Sequence, residues 1–84
     1  MNITVRHRHD IRRVTTATAA PTIAAVLRVG GTVTVHEHPN STRWTLRARN
    51  GHVEAAVANP DLFIADPPPP GWVERLAAAA AALL

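Results

Sequence analysis

Eighty-four residues are enough for one domain with a modest core, and the absence of cysteine excludes disulfides, thiolate zinc sites and a thiol nucleophile. Nine arginines and no lysine against six acids give a net charge of +3, which invites nucleic acid or an acidic partner. Sixteen alanines accompany the arginines, and both residues are favoured by GC-rich codons, so the arginine bias also fits genome composition.

Taken in chain order, Ile3, Val5, His7 and His9 alternate with Thr4, Arg6 and Arg8, which predicts a strand over residues 3–9. Residues 10–20 are rich in Thr and Ala without a clear period and receive no assignment. From Pro21, a good first-turn residue, Ile23, Val26 and Leu27 fall at helical spacing, and Gly30 or Gly31 can end the helix.

A three-stranded meander follows over roughly residues 32–58. Val33 and Val35 form the apolar set of the first strand, Trp44, Leu46 and Ala48 that of the second, and Val53, Ala55 and Val57 that of the third. His38-Pro39-Asn40-Ser41 is expected to turn between the first two strands. Asn50-Gly51 turns between the last two, because both positions tolerate the positive φ of a type I′ turn. A two-residue loop there pairs Ala48 with Val53, Arg47 with Glu54, Leu46 with Ala55 and Trp44 with Val57. The four-residue loop pairs Val35 with Trp44 and Val33 with Leu46. Both registers put the large apolar side chains on one face.

Asn59-Pro60-Asp61 reads as a turn or cap and Leu62-Phe63-Ile64 as an apolar anchor. Pro67 to Pro70 form a stiff spacer of roughly 12 Å. The final segment, 71–84, reads as a helix whose only polar side chains are Glu74 and Arg75. Such a helix must be buried or paired. Trp72, Leu76, Ala79, Ala80 and Leu83 are read as one ridge, expected to meet a second copy or another protein.

Three groups of residues could carry function. The polar face of the meander holds Arg43, Arg47, Arg49 and His52 beside threonine hydroxyls, a set suited to gripping phosphates. It lacks the aromatic side chains on which single-stranded bases stack. Two His-x-His pairs, His7/His9 and His36/His38, could each aim two imidazoles at a metal, but neither has a visible third ligand. No metal or cofactor is therefore expected. Ser41 is the lone serine and lacks an orienting acid, and Gly30-Gly31 lacks the spacing of a phosphate loop.

The sequence thus predicts a single α+β domain: a core over 1–66, the proline spacer and the C-terminal helix. Its antiparallel meander has three strands, or four if residues 3–9 join it. The expected function is a small non-catalytic protein-interaction module, a regulator or adaptor, acting as a homodimer. The alternatives are a nucleic-acid-binding regulator and a metal-dependent enzyme. No secretory h-region occurs in the first thirty residues, and no stretch reaches the ~20 apolar residues needed to cross a bilayer. A cytoplasmic protein with no membrane partner is expected.

Overall fold

The computed structural model describes residues 2–37, 42–58 and 68–84. Strands β1 (Asn2–His7) and β2 (Asp10–Thr15) are followed by helix α1 (Thr16–Leu27), strands β3 (Thr32–Glu37), β4 (Trp44–Arg49) and β5 (His52–Val57), and helix α2 (Gly71–Ala82). The strands form one antiparallel sheet in the order β2-β1-β3-β4-β5. The sheet therefore has five strands, one or two more than the sequence pattern predicts. The N-terminal strand does lie beside the meander, pairing Val5 with Val35 and Thr4 with His36.

The meander registers agree with the alternation of the sequence. Val33 faces Leu46 and Val35 faces Trp44, while Ala48 faces Val53 and Leu46 faces Ala55. Asn50 and Gly51 take φ of 52° and 80°, the left-handed region that a two-residue hairpin turn requires. The 38–41 turn, the Asn59-Pro60-Asp61 turn, the Leu62-Phe63-Ile64 anchor and Pro67 lie outside the described residues.

Helix α1 begins five residues earlier than its apolar spacing suggests. Thr15 precedes it in extended conformation, and the Thr18 hydroxyl donates to the Thr15 carbonyl at 3.3 Å. Pro21 consequently sits in the second turn rather than the first, where its missing N–H removes one helical bond. The helix ends in a Schellman arrangement. The Gly30 amide donates to the Leu27 carbonyl and the Gly31 amide to the Val26 carbonyl, with Gly30 at φ 84°.

Both helices cover one face of the sheet. Ile3, Val5, Val33, Val35, Trp44 and Leu46 meet Ala19, Ala20, Ile23 and Leu27 from α1 and Val73, Leu76 and Ala80 from α2. Pro70 precedes α2 in extended conformation, and its carbonyl accepts from the Val73 and Glu74 amides. At the far end, Arg28 donates from Nη2 to the Leu83 carbonyl at 2.6 Å, tying the two helix C-termini together. A cation there also suits the negative end of each helix dipole. No helix among the described residues is long and apolar enough to cross a membrane.

Candidate nucleic-acid interface

The face of the sheet opposite the helices is built by the pleat, since every second residue of each strand points there. The paired registers arrange these residues in rows running across the strands. In one row Arg13 of β2 lies beside Thr4 of β1 and His36 of β3. Arg43, one residue before β4, extends that row; its carbonyl accepts from the Ala58 amide at 2.9 Å. The next row runs Ile11, Arg6, Thr34, Thr45 and Ala56. Beyond it come Thr32, Arg47 and Glu54, then Arg49 and His52 at the hairpin end.

These rows form a threonine floor bordered by arginines. Thr4 is 9% exposed although it lies on the uncovered face, because its cross-strand neighbours are Arg13 and His36. Thr34 and Thr45 are half-buried, while Arg6, Arg13, Arg43, Arg47 and Arg49 are exposed. No described residue covers this face.

Its charge is lopsided. Among the described residues, the five arginines Arg6, Arg13, Arg43, Arg47 and Arg49 share the face with one acid, Glu54, so its described residues carry four more positive than negative charges. The rest of the chain has four arginines and five acids. Two of those acids, Asp61 and Asp66, lie outside the described residues; the other described residues carry four arginines and three acids, so most of the described positive charge resides on this face. Glu54 accepts from Arg47 Nε at 2.9 Å, with the two side chains 56% and 42% exposed, so the pair contributes no more than about 1 kcal/mol. Arg6 Nε reaches the Arg8 carbonyl at 3.5 Å, a contact that leaves the guanidinium charge uncompensated.

Arg43, Arg47, Arg49 and His52, the nucleic-acid candidates from sequence, are brought together on this one face. Arg6 and Arg13 were missed as members. Arg6 belongs to a strand whose neighbours could not be placed, and Arg13 to a segment without periodicity.

The partner-interface ridge on α2 does not stay together. Leu76 and Ala80 are buried in the chain's own core, and Trp72 is half-buried against it. Ala79 and Leu83 are exposed. The buried stripe is Val73, Leu76, Ala77 and Ala80, rotated by about one residue from the ridge.

Among the described residues no group of three or more His, Asp or Glu side chains could hold a metal ion. The His7 ring donates from Nδ1 to the Thr32 carbonyl at 3.0 Å. It lines a cleft of about 210 Å³ between the β1–β2 hairpin and α1, together with Asp10, Arg12, Thr22 and the apolar Val5 and Val26. His38 lies outside the described residues. Comparison with known proteins returns no matching family model, no similar curated protein and no similar solved structure.

Proposed function

We propose that this protein is a small non-catalytic binding module whose partner is nucleic acid, held on the open face of the five-stranded sheet. One observation carries the reading: among the described residues, the face opposite the helices holds five arginines against one acid, while the others carry four arginines against three acids. Arginine offers a planar fork of donors that suits phosphate oxygens, and threonine hydroxyls add shorter donors between the forks. Neutralising phosphates releases counterions, so such binding weakens steeply with salt.

The test replaces Arg43, Arg47 and Arg49 by Ser. The wild-type protein is expected to retard DNA or RNA at about 50 mM salt, and the variant to bind much more weakly with a flatter salt dependence. Absence of any shift by the wild-type protein at that salt would sink the proposal.

Self-association is a second reading, with a narrower basis. Leu83 and Leu84, 45% and 43% exposed, close α2 near the 84%-exposed Val29 that follows α1, and Arg28 holds these ends together. This small apolar patch supports a contact with a second copy at the helix ends. Sedimentation between 1 and 100 μM reads it directly, and a 9 kDa species throughout removes it.

A further inference from the structure

We infer that the cleft between the β1–β2 hairpin and α1 is a binding site for a small aliphatic zwitterion, a free α-amino acid with a branched side chain such as leucine. The cleft is on the helix-covered face of the sheet, apart from the arginine-lined open face, so the inference does not depend on the nucleic-acid reading. Its floor follows from the register. Val5 lies opposite Arg12 and His7 opposite Asp10, so all four share the face on which Val5 is buried. Helix α1 supplies the other wall with Thr22, Ala25 and Val26. Thr22 and Ala25 are short and β2 is an edge strand, which leaves a space of about 210 Å³ between helix and strand. At about 30 Å³ for a water-sized atom, that holds about seven heavy atoms. A small amino acid is of this size; a nucleotide or a lipid chain is not.

The charged side chains around that space are unpaired. Asp10 and Arg12 are two residues apart on one face of β2, about 7 Å along the strand. They form no ion pair with each other, and neither side chain has a hydrogen bond among the described residues. The His7 ring, by contrast, is fixed. Its Nδ1 donates to the Thr32 carbonyl at 3.0 Å, and its Cε1 lies 3.2 Å from where a methyl on Gly31 would stand. That tautomer leaves Nε2 as an acceptor, without a partner among the described residues. The cleft thus offers guanidinium donors to an anion, a carboxylate and an imidazole nitrogen to a cationic donor, and Val5, Ala25 and Val26 to a hydrocarbon. A plain anion would meet Arg12 but be repelled by Asp10, and a plain cation the reverse. A molecule carrying both charges satisfies both groups, while its aliphatic part is buried on the apolar strip.

NMR titration of the isotope-labelled protein with leucine, isocaproate (leucine without its ammonium) and isoamylamine (leucine without its carboxylate) provides the test. Leucine is expected to shift the amide signals of His7, Arg12, Thr22 and Val26, with a Kd of about 1 mM or tighter for its small number of heavy atoms. Each one-charge analogue should bind about ten-fold or more weakly, the worth of one charge-assisted hydrogen bond. Arg12→Ser should reduce leucine to the affinity of isoamylamine, and Asp10→Asn to that of isocaproate. Both positions are exposed, and unchanged circular dichroism and unfolding midpoints would show that the variants keep the fold. Either analogue binding wild type as tightly as leucine overturns the inference, and so does a leucine affinity that neither substitution changes. Shifts confined to residues away from the cleft, or none at about 20 mM leucine, overturn it as well. Each of these results leaves the nucleic-acid reading, which concerns the other face, untouched.

Discussion

Replacing Leu76 by Ala distinguishes the two roles open to α2. Leu76 is 2% exposed and lies in one core with Ile23 and Leu27 of α1 and with Leu46 of β4. Truncating a leucine in such a site removes its transfer free energy and leaves a cavity, together about 2–5 kcal/mol. At roughly 0.05–0.15 kcal/mol per residue, a domain of this length has about 4–13 kcal/mol to lose. A loss of about 3 kcal/mol, with a urea slope of about 1 kcal/mol per molar for a small protein, lowers the unfolding midpoint by about 3 M. Urea titrations of wild type and variant at 1 and 100 μM protein provide the assay. If Leu76 packs within its own chain, the shift is large and the same at both concentrations. If a second copy is required for folding, the wild-type midpoint itself rises with concentration, since a hundred-fold change is worth about 2.7 kcal/mol by mass action. A loss below 1 kcal/mol, or a wild-type midpoint that depends on concentration, would refute the intramolecular packing argument. Ala79→Glu, on the exposed side of α2, is the control and should stay within about 0.5 kcal/mol of wild type.

Replacing Asn50-Gly51 by Val-Val places β-branched side chains at φ of 52° and 80°; thermal unfolding should show the variant destabilised by about 2 kcal/mol or more. Gly31→Ala sets a methyl 2.7 Å from Val26 Cγ1 and 3.2 Å from the His7 ring; a loss of about 1–3 kcal/mol in denaturant is expected from the overpacking, and a neutral result would show that this corner relaxes freely. Glu54→Gln removes the negative charge opposite Arg47 and should cost no more than about 1 kcal/mol of stability. Binding assays should show it tightening nucleic-acid affinity, because the face loses a negative charge that repels phosphate; unchanged or weaker binding would place the contact surface elsewhere.

The meander was legible because two separate signals agree there. Alternation in residues 32–37, 44–49 and 52–57 puts all the large apolar side chains on one face, and Asn50-Gly51 fixes the register between the last two strands. Strand β2 offered neither signal. Its apolar residues, Ile11 and Val14, are an odd number apart and so fall on opposite faces, with Ile11 63% exposed beside Arg6. The turn before it was equally silent, since Arg8 takes φ 55° where an Asn or Gly would have announced it. At α1, Pro21 suggested a start, but the helix begins at Thr16 after an extended Thr15, with the Thr18 hydroxyl bonded back to Thr15 and no side-chain cap on a helical N–H. The buried stripe of α2 lies about one residue round from the ridge read in the sequence, because an alanine run has no polar side chain to mark which side faces water. The basic face was half legible for the same reason as β2: Arg43, Arg47 and Arg49 were visible on the meander, but Arg6 and Arg13 join them only once β1 and β2 are placed beside β3.

A face carrying four excess positive charges would be self-defeating if its arginines were crowded, and the register keeps most of them apart. Arg43 and Arg47, about 13 Å apart along β4, repel by roughly 0.3 kcal/mol even in unscreened water. At physiological salt that separation exceeds the Debye length of about 8 Å. The densest spot is the hairpin end, where Arg47 and Arg49 point the same way two residues apart, and the one acid of the face sits opposite Arg47 in the register. The threonines separate the remaining cations without adding charge or apolar surface. The arrangement therefore costs the folded chain little while holding the guanidinium groups ready on a rigid sheet. A polyanion then meets cations whose positions are already set by backbone pairing, so little of its binding energy is spent on ordering them.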